Sequence, residues 1–485
     1  MAGISIHRAF ALACLVTAPA FAFACASLSG LSEQPPGDSG TPGPDASQSD
    51  APPGPGPDGA LDVTPTGDAS CGDLQTDPNN CGACGHVCAA TFGCIDGVCG
   101  NTVVKIASGP GAYHTCAVLK SGNLYCWGQN NVGQIGTGDV TNHLTATLVA
   151  KDVDNNPFDH VVDVTTGAEH TCAQKADKSV FCWGSEAYGQ TAQAIAGEQH
   201  TPLRVLSLSG YLQVRAGGYR TCGIDGSNHV WCWGDNQHLG LGHASASNGD
   251  YACGSPQNQT QCNNVPVLVS GLTGATSLAM GYDHTCAAGT SISCWGGNVH
   301  GELGATGADR ATPGAVQGVA LADALSAGSY LTCAGQTGTF TCWGFNGNGE
   351  LGVGDNATPK FLTKWGGATA PSLAAVVPGN EHSCALLATG GVQCSGWNNE
   401  GECGSGVFGG PNFNGYETWN AVTVTSAADA GGSLGNVAKL ISGGTHTCAL
   451  TKDARVFCWG MGIYGQVGNG GTSNVPAPAA VVGLP

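Results

Sequence analysis

Seven times between residues 114 and 460 the chain repeats one pattern: a His-Thr-Cys-Ala run or a variant of it, a short turn, then Cys-Trp-Gly or a variant of that. The clearest copies read His114-Thr115-Cys116-Ala117 to Cys126-Trp127-Gly128 and His446-Thr447-Cys448-Ala449 to Cys458-Trp459-Gly460. Their first cysteines stand at 116, 172, 222, 286, 333, 384 and 448, a period of about fifty residues that restricts the fold to a solenoid or a propeller. Apolar residues alternate within each copy and Ser-Gly or Asp-Gly turns interrupt them, so each unit is a small set of short strands.

The cysteines support this. Cys116 and Cys126 flank the turn at Ser121-Gly122, as they would if they faced each other across a hairpin, within disulfide reach. The same pairing follows for Cys172 with Cys182, Cys222 with Cys232, Cys286 with Cys294, Cys333 with Cys342, Cys384 with Cys394, and Cys448 with Cys458. Cys253 and Cys262 are expected to pair within an insert, and Cys403 is left over as a buried thiol. The first copy opens with Val103 to Gly109, the second half of a unit, and the last closes with Val475 to Leu484, the first half of one. A closed ring in which the C-terminal strand completes the first blade is therefore expected, which would leave no open sheet edge.

The first hundred residues are different in kind. Arg8 precedes an apolar run, Ala9 to Ala24, ending Ala22-Phe23-Ala24-Cys25; this reads as an export leader over 1–24. The end of the run resembles the lipobox of a bacterial lipoprotein signal, which makes Cys25 a candidate lipidation site and first mature residue, with plain secretion as the alternative. Residues 25–67, rich in Pro, Gly, Asp and Ser, are expected to form a disordered linker. Residues 68–100 hold six cysteines (Cys71, Cys81, Cys84, Cys88, Cys94 and Cys99) and are expected to form a small disulfide-held module. Zinc at Cys81-x-x-Cys84 is disfavoured by export, and haem c by Gly85 standing where His is required. The expected organisation is all-β, a seven-bladed β-propeller over 101–485 preceded by the linker and the module.

The frame Gly-x-x-His-Thr-x-Ala-Leu, then Trp-Gly-x-Asn-x-x-Gly-Gln-Leu-Gly, resembles the repeat of the regulator-of-chromosome-condensation family, best over Gly111 to Gly136 and Gly443 to Gly468. The resemblance implies a seven-bladed β-propeller, and the paired cysteines look like exported bacterial members. Its copies depart locally: Arg220 and Leu331 replace His, the sixth copy reads Cys394-Ser395-Gly396-Trp397 with its Trp displaced by two, and Cys403 replaces Leu. Known members include a nucleotide-exchange factor, light- and ubiquitin-pathway proteins, and secreted enzyme inhibitors, so the resemblance implies a fold and not one activity.

No catalytic, cofactor or metal motif stands out. Only 15 basic residues oppose 34 acidic ones, for a net charge of −19, which argues against nucleic acid. The recurrent histidines 114, 170, 284, 382 and 446 are read as capping backbone groups at strand starts rather than lining a metal site. Asp152-x-Asp154-x-Asn156 has Pro157 where a calcium loop wants Gly. Asp235, Glu302, Glu350 and Glu402 are the carboxylates an enzyme would use, but three of them replace the Gln of Gly-Gln-Leu-Gly, which points to structure. Two inserts, about 243–264 and 405–435, are the candidate interaction loops. The second carries Phe408, Phe413, Tyr416 and Trp419, aromatics of the kind that anchor interfaces. The function expected is an exported or surface-anchored, monomeric, non-catalytic propeller that binds a protein partner. A glycan-binding or carbohydrate-active envelope protein is the alternative. Membrane contact is expected only through an N-terminal lipid.

Overall fold

The computed structural model describes Asn79, Val87, 93–95 and 98–100 within the first hundred residues. Beyond them it describes every residue except 194–196, 256–257, 320–321, 413–414, 416 and 427–431. Cys25, the linker and nearly all of the six-cysteine segment lie outside the described residues, and those that are described belong to one compact unit, Gly67–Pro485. A short hairpin, Gly93–Ile95 with Val98–Gly100, leads into the repeats.

Seven antiparallel sheets then follow one another, each made from one uninterrupted stretch of chain. Blade one is Val103–Ala107, His114–Leu119, Leu124–Gly128 and His143–Leu148, paired in that order. Blade seven is Val437–Ser442, His446–Thr451, Val456–Gly460 and Val475–Ala480. First strands of successive blades touch all round the ring, the seventh's meeting the first's, so they surround the axis of a seven-bladed propeller. The cysteine pairs face each other on the second and third strands, their Cα atoms 4.1 Å apart in every blade, and all seven are disulfides. In blade three the insert adds a fifth strand, Tyr251–Ser255, stapled by Cys253–Cys262.

Closure differs from the expectation. Val475–Ala480 is the fourth strand of blade seven, and blade one has its own fourth strand. The segment read as the head of each unit pairs with the Cys-Trp-Gly strand before it, so it is the outer edge of the preceding blade. A repeat fixes the period and leaves the phase open. The seam is closed by side chains and the tail: the Trp127 indole N–H donates to the Gln466 carbonyl at 3.1 Å, and the Ala146 N–H to the Val482 carbonyl at 2.8 Å.

The indole contact recurs at five of the six other pairs of blades. The indoles of Trp183, Trp233, Trp295, Trp343 and Trp459, all fully buried, donate to loop carbonyls of the preceding blade at 2.7–3.0 Å. The histidines work in the other direction. Nε2 of His114, His170, His284, His382 and His446 lies 2.7–2.8 Å from the Thr hydroxyl of the following blade. Thr171 and Thr221 spend their own protons on loop carbonyls, so these imidazoles are the donors. They tie blade to blade instead of capping their own strands. Burial holds His114, His170, His284 and His446 down to about 3 and His382 to about 4, which keeps the ring of imidazoles neutral.

Three blades depart from this scheme, blade five by having Leu331 at the His position. Arg220 occupies the third His position beneath Gly240, which stands where Gln is usual. A Cβ there would meet the Arg220 Nε at 2.4 Å. Arg220 donates to the His284 carbonyl, and the Thr285 hydroxyl that a histidine would have reached is left without a hydrogen bond. In blade six, Ser395 takes the Trp position, and Trp397 turns away to bond Glu400 at 2.9 Å. The vacant place is filled from blade five: Trp365, fully buried, packs with Leu351, Val376 and Ala385 and donates to the Ser383 hydroxyl at 2.7 Å.

Candidate functional site

In each blade the loop after the first strand and the loop after the third emerge at the same end, because the strands alternate in direction. The residue just before the His position is held identically in all seven copies. Its carbonyl accepts the N–H that follows the Gly of Cys-Trp-Gly, at 2.8–3.0 Å. That Gly has φ of 101–119°, and a Cβ on it would lie 2.3–2.6 Å from the same carbonyl oxygen. Only glycine permits this approach. The backbone is thus fixed while the side chain is free to vary, and it varies with a rhythm. From blade one to blade seven the residues are Tyr113, Glu169, Tyr219, Asp283, Tyr330, Glu381 and Thr445. Phenol and carboxylate alternate around the mouth of the propeller.

Four of these residues, Tyr113, Glu169, Tyr219 and Tyr330, wall a cavity of about 290 Å³ lined also by Gln129, Tyr282, Ser329 and Asn380. Its floor is where the axis narrows to hydrogen-bonding distance. The Gly218 N–H donates across to the Pro110 carbonyl at 3.3 Å, and the Gly111 N–H to Asn380 Oδ1 at 3.2 Å. Tyr282 lies over Gly111, whose Cβ would come 2.7 Å from the ring. The mouth is therefore a bowl.

Its tyrosines are braced from the neighbouring loops. Tyr464 meets Tyr113 edge-on with centroids 5.6 Å apart, and Tyr188 lies 4.6 Å from Tyr219, which meets Tyr282 at 5.8 Å. His300 and Phe345 pack on Tyr330 at 5.2 and 6.3 Å. Burial raises the phenols of Tyr113, Tyr219 and Tyr330 above their ordinary range and lifts the Glu169 carboxyl as well. Asp283 is approached by Arg220 at 3.8 Å and His238 at 3.9 Å.

The carboxylates singled out in the sequence lie off this bowl. Glu302, Glu350 and Glu402 are buried and accept the N–H of the residue two before them at 2.8–3.1 Å. Gln134, Gln190 and Gln466 do the same at 2.9–3.0 Å. Burial pushes Glu350 up to about 8 and Glu402 well above the usual range, so each stands in as a neutral copy of the glutamine. Asp235 accepts the Thr260 hydroxyl at 3.0 Å. Asp152 closes its own turn by accepting the Asp154 and Asn156 N–H groups. Among the described residues no group of three or more His, Cys, Asp or Glu is placed to hold a metal ion.

Of the insert aromatics, Phe408 is 54% exposed beside Val407, on a loop after the third strand of blade six and so at the end of the ring that carries the bowl. Trp419 is half-buried on the fourth strand, its indole bonded to Glu417, and it packs on Gly349 of blade five. Phe413 and Tyr416 lie outside the described residues. The Cys253–Cys262 hairpin also follows a third strand, so it stands at the bowl's end too, and its Gly254 N–H reaches the Ala187 carbonyl of blade two. The bowl is not legible in what repeats, because its own column changes from blade to blade. The signal was the variable position inside the repeated frame.

The Regulator of chromosome condensation (RCC1) repeat matches this chain over 103–190, 212–288, 373–402 and 437–485. The ultraviolet-B receptor UVR8 of Arabidopsis thaliana is 27% identical over 374 residues, 74% of this chain and 78% of that protein. Among solved structures, Prp20p of Saccharomyces cerevisiae, described with its binding to Gsp1p and histones, superposes with a TM-score of 0.60 at 18% identity. That match covers 74% of this chain and 86% of Prp20p. Human WBSCR16 gives 0.61 at 17% identity, over 74% and 94%. At such identities the two structures share the fold.

Proposed function

Because the chain belongs to the RCC1-repeat family, we propose that it is a protein-binding scaffold without catalytic activity of its own, and that it engages its partner through the end of the ring that carries the bowl. The carrying observation is the alternating tyrosine and carboxylate ring, braced by aromatics and flanked by both inserts at one end of a rigid frame. Prp20p, which binds Gsp1p and histones, is a precedent for partner binding on this fold. Preformed walls leave little ordering to be done on association. Export to an oxidising compartment is part of the reading. It is supported by the leader-like run Ala9 to Ala24 and by eight disulfides in the described residues. Cys25 as a lipid anchor belongs to the same proposal, and so do Phe408, Phe413, Tyr416 and Trp419 as partner-binding residues.

The test is affinity capture with the full chain, with Tyr219→Ala plus Tyr330→Ala, and with 405–416 shortened. A protein retained by the first and lost by the second supports the reading, and its loss with the third extends the surface to blade six. A partner retained equally by all three would move binding to the opposite end of the ring and refute it.

A further inference from the structure

We propose that the bowl is a receptor for one basic side chain, the ammonium or guanidinium group of a residue on the protein partner; this rests on the reading just given. Tyr113, Tyr219 and Tyr330 present their rings to the cavity and Glu169 a carboxyl from the blade between the first two, so a group held there meets aromatic rings and an acid together. A compact cation is what that arrangement suits, since ring faces and carboxylates both carry negative potential. Glu169 lies in the cavity wall, its carboxyl bonded to the Ser185 hydroxyl, and the charge it senses nearby is Glu198, of the same sign. The volume, about 290 Å³, is at the small end for ligand pockets of about 300–1,000 Å³ and suits one side chain better than a cofactor. The chain's net charge of −19 draws basic surfaces toward it. A pyranose would want a broad free ring to stack on, yet Tyr188 already lies 4.6 Å from Tyr219 and His300 packs on Tyr330.

The experiment titrates the full chain by calorimetry with Nα-acetyl-lysine methylamide and with its Nε-acetylated form, which has similar shape and no charge. The charged probe is expected to bind at least about tenfold more tightly. Glu169→Gln should remove about a tenfold share of that, while Asp453→Asn, on a turn at the opposite end of the ring, should not. Equal binding of the two probes, binding of neither at tens of millimolar, or binding of N-acetylglucosamine in their place would overturn the inference. A second arm separates its failure from that of the broader reading. A captured partner that is lost on Tyr330→Ala but retained after its lysines are acetylated and its arginines blocked keeps the protein-binding reading and overturns the basic side chain. A partner indifferent to Tyr219→Ala and Tyr330→Ala overturns both.

Discussion

Trp365 stands in for a tryptophan that blade six lacks, and this makes a substitution whose sign depends on its background. Its side chain is fully buried. A tryptophan buries about 200 Å², which at about 25 cal/mol per Å² is ~5 kcal/mol, close to the upper end of the ~3–5 kcal/mol seen for Trp→Ala in cores. Trp365→Ala should therefore cost about 4 kcal/mol, including the lost bond to Ser383. Ser395→Trp alone adds an indole where one is already packed and should destabilise by about 1–3 kcal/mol. In the Trp365→Ala background the same change puts the ring back on the strand that carries it in the other six blades, with its N–H in reach of the Glu350 carbonyl that Ser395 now contacts at 2.8 Å. There it should stabilise by about 2 kcal/mol or more. Guanidinium unfolding with disulfides intact, followed by near-ultraviolet circular dichroism, measures the four corners of the cycle. Ser395→Trp acting with the same sign in both backgrounds, or Trp365→Ala costing under ~1 kcal/mol, would refute the substitution of one ring for the other.

Glu350 titrates near 8 when folded against an ordinary 4.5, so its contribution is present at low pH and lost as pH rises through 8. Wild type should accordingly lose about 1 kcal/mol more than Glu350→Gln between pH 7 and 9, measured by the same unfolding assay. Replacing Cys172 and Cys182 together by Ala opens a loop with a sequence separation of 10 and should cost about 3 kcal/mol of the same unfolding free energy. Cys403 is fully buried and its thiol is pushed up to about 12, so iodoacetamide should leave it untouched in the native protein and alkylate it in guanidinium; labelling of the native form at an appreciable rate would contradict its place in the core.

What the sequence discloses is set by how often a physical demand recurs. The pair Cys116 with Cys126 recurs in all seven blades, Trp127 in six and His114 in five, so the copies expose them. The blade boundary is not such a demand, so the repeat alone does not say that Val475–Ala480 closes blade seven instead of blade one. Trp365 is a single repair made thirty residues away from the Ser395 it answers, with no second instance to compare. The sequence locates the histidines but not their bonds, because only folding brings His114 against Thr171 of the next blade. The bowl was present in the sequence as an alternation of Tyr and acid at one column of the repeat, concealed by its own variability. For the inserts, length and aromatic content mark loops, while the half-buried setting of Trp419 depends on a contact with blade five.

Every blade disulfide spans eight to ten residues within one hairpin, and none joins two blades. During biosynthesis each pair can therefore oxidise as soon as its own turn has formed, without waiting for distant chain, so the right partner is also the nearest one. Cohesion of the ring is left to neutral imidazoles and indoles, which need no oxidant. A reducing environment would loosen individual hairpins before it opened the circle, and force applied between the termini would part blade from blade while every covalent staple stayed whole.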